Sequence, residues 1–463
     1  MRRISKHRIL PAVICSCLIL ISGCATAPRV NHRILTRLYV NQRQAPKKHP
    51  VIFIPGMMGS VLKDTKSGTF VWGKVGGRLI DLFALPIDAV TLIANKDALV
   101  PTSPLGKLVI IPGIAEKEIY DNLNRIAIDV GGYSMNENAF AFSYDWRRDL
   151  VEASKQLGEM IEKIKAKYND PNLKIDLVCH STGGIIARYY AKYGTEDVLD
   201  QDPIPEPTYA GAANINKIIM VGTPNTGSLE SFQRLHEGLW LPTIVRISAE
   251  AGFTMPSLYE LLPYDGNPVF IDANGQPMDI NLYNPENWEK YGWSVFEHHL
   301  MKKTLRHYIE KNGKEKGEEL FKDHLNIQRR FLAEALKRAR KYQEALWKGD
   351  LAVEKQHVLY ALMGSDCQPT LERALMKKGD PQWQTLFKSP NRKLNKMLFG
   401  LGDRSVTKES LLGLRQITGP SGEIIRLRFP STFEGFVCES HTDLINSPTY
   451  MDNILHMLLD AKQ

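Results

Sequence analysis

Leu173-Lys174-Ile175-Asp176-Leu177-Val178-Cys179-His180-Ser181-Thr182-Gly183-Gly184-Ile185-Ile186 is the stretch on which the reading of this chain turns. Leu173 to Val178 is an apolar run of strand length, and Gly184 to Tyr193 carries Ile185, Ile186 and Tyr189 at helical spacing. Between them lies a serine with small residues two places before and after it, Cys179 and Gly183. A strand, a sharp turn with a serine at its apex and a helix make a nucleophile elbow. Small neighbours are needed because the turn is cramped, and the helix that follows offers its N-terminus to a developing negative charge. A bare Ser-x-Gly is weak, and Cys179 stands where a glycine is usual. The strand-turn-helix context makes Ser181 the candidate nucleophile, against the plainer reading of a turn serine.

Working outward, Val51-Ile52-Phe53-Ile54 reads as the first core strand and Ala139-Phe140-Ala141-Phe142 as the next. Leu150, Ala153, Leu157, Met160, Ile164 and Tyr168 then recur at helical spacing. Ile218 to Val221 is a further strand, His357 to Met363 another, and Ile424 to Phe429 the last. Strands alternating with helices imply an α/β architecture with a parallel, doubly wound sheet. Between Gly227 and about Asp350 the pattern changes to a stretch containing Pro, Tyr and Trp, followed by charged helix. The expected organisation is therefore a signal segment at 1–23, a linker at 24–49, a first core part at 50–227, a largely helical cap at 228–350 and a second core part at 351–463. Within the first part, the apolar stretch 79–94 offers Leu82, Phe83, Leu85, Ile87 and Val90 to lipid or to packing.

Acyl chemistry at a serine also needs amide donors and a base. Pro55-Gly56-Met57-Met58-Gly59-Ser60 follows the first strand, and its glycines let backbone N–H groups come close to a substrate. The Met57 and Thr182 amides are the expected oxyanion hole. With the order serine, acid, histidine, His441 is favoured by position, since Ser440-His441-Thr442-Asp443 forms a loop after the last strand. His456 belongs to an ordinary helical stripe and His357 to a strand. For the acid, Asp366 directly follows a strand and Asp403 lies in Gly402-Asp403-Arg404-Ser405-Val406, and spacing leaves both open.

The Pro-Gly loop at 55–60, Phe142-Ser143-Tyr144-Asp145-Trp146-Arg147, the Ser181 elbow, Gly222-Thr223-Pro224-Asn225-Thr226-Gly227, Gly402-Asp403-Arg404-Ser405-Val406 and His441 occur in that order. Together they resemble the lecithin:cholesterol acyltransferase family, over most of residues 50–463. Tyr144-Asp145-Trp146-Arg147 is the most family-specific piece, and its plain reading is loop bracing beside the site. Pro256-Ser257-Leu258 and Asn281-Leu282-Tyr283 resemble the family's cap. The resemblance implies an α/β-hydrolase fold with an inserted cap, and it selects Asp403 as the acid. Cys179, and Thr226 where many relatives carry glycine, depart from the pattern. The implied reaction is covalent: His441 takes the Ser181 proton, Asp403 holds the imidazole tautomer, and an acyl-enzyme passes its acyl group to water or an alcohol. A lipid ester is the expected substrate, and no cofactor or metal is called for. Two rivals are a serine peptidase or amidase on the same fold and a non-catalytic, envelope-binding lipoprotein; an ordered set of Ser181, Asp403 and His441 argues against the second.

The first residues carry an address. Arg2, Arg3, Lys6 and Arg8 precede a short apolar run, too short for a stable span, that ends in Leu20-Ile21-Ser22-Gly23-Cys24. This resembles a bacterial lipobox, so Cys24 is the expected lipidation site. Several acyl chains on one cysteine anchor far better than one. Ala25, where an acidic residue would argue for the inner membrane, points to an outer-membrane protein facing the periplasm. Cys367 and Cys438 are then the cysteines left to pair, besides Cys179 in the elbow.

With 463 residues, 43% of them hydrophobic and 24% charged, the chain can bury a large core. Removing the signal takes the formal charge from +8 to +4, and nucleic acid is not implied. The excess sits in 301–350, with fourteen Lys or Arg against eight acids. The plain reading is a solvated helix pair; the sharper one is a face for anionic headgroups.

Overall fold

The computed structural model describes residues 32–43, 48–73, 83–89, 91–111, 115–241, 245–264, 266–379, 383–418 and 421–459. The central sheet has strands β1 (Val51–Ile54), β2 (Ala139–Ala141), β3 (Ile175–His180), β4 (Ile215–Val221), β5 (Leu359–Ser365) and β6 (Phe433–Val437). Its order is β6-β5-β4-β3-β1-β2, and all five pairings are parallel. The principal helices are α1 (Asp121–Asp129), α2 (Leu150–Tyr168), α3 (Thr182–Tyr193), α4 (Leu229–Glu237), α5 (His298–Asn312), α6 (Lys314–Trp347) and α7 (Pro448–Leu459).

Strands β1 and β3 are buried along their whole length because helices cover both faces, as a parallel sheet requires. The alternation of a strand divides the apolar residues between two cores. Val51, Phe53, Val178, Ile219, Val221 and Met363 join α1 and α7 on one face. Ile52, Ile54, Leu177, Cys179, Ile218, Met220 and Leu362 join α2 and α3 on the other. This sheet with flanking helices is an α/β-hydrolase fold.

Several boundaries differ from the expectation. The segment Ile424–Leu427 is not the last core strand; it pairs with Arg415–Thr418 in a separate hairpin, and Ile424 is 67% exposed. The true last strand is β6, an edge strand containing Glu434 and Gly435, whose partial burial leaves little apolar signal. His357 ends a short helix, Leu351–His357, and β5 starts two residues later. The linker at 24–49 contains a helix, His32–Leu38; Leu35 and Tyr39 are buried, and the Tyr39 hydroxyl donates to Asp452 Oδ1 at 2.8 Å. The second core part is itself interrupted: Ala374–Lys377 and Gln384–Leu386 form a four-stranded sheet with Phe270–Ile271 and Pro277–Met278 of the cap.

In the 79–94 stretch, Phe83, Leu85 and Leu92 are buried, so these residues pack inward. Leu82 and Val90 lie outside the described residues, as do the signal segment and Cys24. Cys367 and Cys438 are joined as a disulfide across 71 positions, and Cys179 is a buried free thiol. The basic 301–350 region is a helix pair; α5 has no buried residue. Part of its charge is committed to acids elsewhere: Arg329 pairs with Glu289, and Arg338 with Asp149 and Asp197. No helix among the described residues is long and apolar enough to cross a membrane.

Candidate active site

β3 delivers Ser181 to the top of the sheet and α3 begins at the next residue. Ser181 has φ +54°, a left-handed conformation that a side chain adopts at a cost. Neighbouring structure leaves no room for larger residues. A Cβ on Gly183 would meet the Ile54 carbonyl oxygen at 2.6 Å, and one on Gly184 would meet Thr223 Oγ1 at 2.1 Å. Cys179 fits because it points into the core between β1 and β4, wholly buried, where burial pushes its thiol pKa up and keeps it protonated.

His441 opens a short helix just beyond β6, and Asp403 follows the strand Phe399–Gly402, outside the central sheet. The structure brings these distant residues onto one line: His441 Nε2 is 2.9 Å from Ser181 Oγ, and His441 Nδ1 is 2.7 Å from Asp403 Oδ2. The His441 amide also donates to the Asp403 carbonyl at 2.8 Å, fixing the two loops to each other. Asp403 Oδ1 accepts the Ser405 and Val406 amides at 2.9 and 2.7 Å. Burial pushes the Asp403 carboxyl up, but His441 and these hydrogen bonds outweigh it and hold the pKa below the ordinary value. Burial pushes His441 down, and the Asp403 carboxylate more than offsets it, leaving the pKa raised. Asp366, which directly follows β5, pairs with Lys408 at 3.1 Å instead.

Facing Ser181 is the 55–60 loop. A Cβ on Gly56 would lie 2.7 Å from Ser181 Cβ, so only glycine allows this approach. The Met57 and Thr182 amides donate no hydrogen bond among the described residues, and both residues line the cavity that contains Ser181 and His441. That cavity is about 190 Å³, with Met58, Trp72, Leu105, Ile119, Leu239 and Leu261 supplying apolar walls. Glu230 and Arg234 also face it and pair at 2.6 Å.

The Tyr-Asp-Trp-Arg segment braces the loop. Tyr144 Oη donates to the Pro55 carbonyl at 3.2 Å and Trp146 Nε1 to the Ser60 carbonyl at 3.1 Å. Arg147, fully buried, grips Asp97 at 2.6 and 2.8 Å and Asp145 at 2.9 and 2.7 Å. Sequence reasoning did not find Glu230, Arg234, Trp72 or Tyr120. Glu230 and Arg234 sit at i,i+4 on an amphipathic helix, a spacing shared by any surface ion pair, and Tyr120 lies in no motif. Among the described residues, no group of three or more His, Cys, Asp or Glu is arranged to hold a metal ion.

No curated protein sequence matches the chain. Among solved structures, a chain of the Tle4–Tli4 complex aligns with a TM-score of 0.50 at 14% identity, covering 90% of this chain and 99% of that one. The Bacillus licheniformis lipase BlEst2 in its propeptide form aligns with a TM-score of 0.36 at 12% identity, covering 90% of this chain and 52% of that one. The first likeness is one of fold. The lecithin:cholesterol acyltransferase family matches residues 113–415, about two thirds of the chain and a span that includes Ser181 and Asp403. By this match the chain belongs to the lecithin:cholesterol acyltransferase family, as an enzyme acting on lipid esters.

Proposed function

We propose that the protein is a serine-dependent lipid acyl hydrolase or O-acyltransferase working through an acyl-enzyme. The observation that carries this is the hydrogen-bonded line Ser181–His441–Asp403 at the wall of an apolar cavity. His441 Nδ1–H donates to Asp403, which leaves Nε2 as the base toward Ser181 Oγ. As that proton moves to Nε2, Oγ bonds to the ester carbonyl carbon. The carbonyl oxygen gains charge, and the Met57 and Thr182 N–H groups are suited to receive it. Collapse expels the alcohol, which takes the proton from His441. Water or a second alcohol then gives its proton to Nε2 and its oxygen to the acyl carbon; the bond from that carbon to Oγ breaks, and Ser181 Oγ takes the proton back from His441 as the acid or new ester leaves.

The apolar walls favour an acyl chain, and the family membership favours a lipid ester over a peptide. A lipidated Cys24 would hold the enzyme at a membrane, with the periplasmic face of the outer membrane as the proposed site; membrane fractionation tests this, and recovery in the inner membrane would refute it. The catalytic reading is tested by fatty-acid release from phospholipid vesicles, with a lipid alcohol as competing acceptor. Ser181→Ala is expected to lower the rate by about 10⁴-fold or more. Equal activity in wild type and mutant would remove Ser181 as nucleophile, and the ratio of free acid to new ester tells which acceptor wins.

A further inference from the structure

Along the cavity wall, where Tyr120 and His180 both contribute to the lining, three hydrogen bonds run in an unbroken line. The Gly56 amide is 3.0 Å from Tyr120 Oη, Tyr120 Oη is 2.9 Å from His180 Nδ1, and His180 Nε2 is 3.0 Å from the His441 carbonyl oxygen. The donor inventory sets the direction of each. A carbonyl oxygen only accepts, so His180 Nε2 carries the hydrogen. A neutral imidazole has one N–H, so Nδ1 accepts and the Tyr120 hydroxyl donates to it. The Tyr120 oxygen then accepts the Gly56 N–H. Burial keeps both side chains in these forms, pushing His180 down to about 3 and Tyr120 above its ordinary value.

The line ends on groups that matter to the chemistry. Gly56 precedes the Met57 amide, His180 precedes Ser181, and the accepting carbonyl belongs to His441 itself. A plain reading, buried polar groups satisfying one another, accounts for the hydrogen bonds but not for their termini. We propose that Tyr120 and His180 are positioning residues that hold the oxyanion loop, the serine elbow and the His441 loop in one register. This rests on the serine acyl-enzyme reading above.

Tyr120→Phe removes one oxygen and leaves both the Gly56 N–H and His180 Nδ1 without a partner. With a soluble p-nitrophenyl ester, and active sites counted by fluorophosphonate titration, kcat per site is expected to fall about 10- to 100-fold. KM should change by no more than about twofold, because Tyr120→Phe keeps the ring that lines the cavity and removes only a hydroxyl engaged with Gly56 and His180. Affinity for an alkyl trifluoromethyl ketone, which mimics the tetrahedral adduct, should fall in step with kcat/KM. His180→Gln offers an acceptor to Tyr120 and a donor to His441, so it should be about tenfold more active than His180→Leu. A variant that is merely destabilised loses titratable sites and keeps kcat per site, which would overturn the proposal. So would unchanged kcat and ketone affinity in Tyr120→Phe, or equal activity of the Gln and Leu variants. A wild-type chain inert toward every ester would overturn the function and this role with it, whereas an active wild type beside an unimpaired Tyr120→Phe overturns this role alone.

Discussion

Gly56→Ala tests how tightly the 55–60 loop, the proposed carrier of an oxyanion-hole amide, is seated on Ser181. The added methyl would lie 2.7 Å from Ser181 Cβ, 3.2 Å from the His180 carbonyl oxygen and 3.3 Å from Ser181 Oγ. Ordinary carbon contacts lie near 3.5–4.0 Å, so the loop and the elbow must part by about 1 Å. The elbow cannot yield easily, because Ser181 is at φ +54° and its amide donates to the Val221 carbonyl at 2.8 Å. The loop therefore moves outward and takes the Met57 amide with it, against the Gly56–Tyr120 hydrogen bond. Overpacking of this kind costs about 1–3 kcal/mol of stability. A displacement of about 1 Å at the reacting centre costs on the order of a hundredfold in rate. Thermal unfolding should therefore shift by a few degrees while kcat/KM toward a soluble ester falls about a hundredfold. A variant whose kcat/KM stays within about threefold of wild type, less than 1 kcal/mol of barrier, would refute the close approach and the role given to the loop.

Asp403→Asn should lower kcat by about 10⁴-fold through loss of the tautomer. Its acid limb in kcat/KM should move to lower pH, because burial depresses the His441 pKa and the carboxylate that offsets this is gone; an acid limb that stays in place in the pH profile would count against the pair. Arg147→Met leaves Asp145 buried without its cation and should cost about 3–5 kcal/mol in denaturant unfolding. Arg147→Lys should recover only part of it, since the lysine lacks the fork that reaches two carboxylates, and full recovery would show that charge alone suffices. Cys367→Ser should cost about 2–5 kcal/mol by opening a long loop, and a wild type indifferent to reductant would remove the disulfide from the account.

Local information was enough for the elbow. Small residues around Ser181, an apolar strand before it and a periodic helix after it all lie within twenty positions, so the turn announces itself. The core strands β1 to β4 are legible for a related reason: each carries buried apolar residues, at Val51–Ile54, 139–140, 177–179 and 218–221. The edge strand β6 is not, because partial burial removes the constraint on its residues, and the sequence pattern points instead to 424–429, whose first four residues form one arm of an exposed hairpin. The acid was undetermined by position, since Asp403 reaches His441 from a hairpin outside the sheet, while Asp366 directly follows β5 and turns to Lys408. Motif resemblance chose Asp403; the 2.7 Å contact supplies the geometry.

What the chain itself determined, then, was the strand-turn-helix elbow at Ser181, the alternation of strands and helices and the glycine loop that lies close to that serine. The tertiary structure alone decided the partners that come from far apart: Tyr120 against His180, the Glu230–Arg234 pair facing the cavity, and the cap sheet that borrows Ala374–Lys377 from beyond the cap. Such contacts depend on where whole elements pack. A tyrosine in no motif, or two charges one helical turn apart, has the same local pattern whether it meets solvent or an active site.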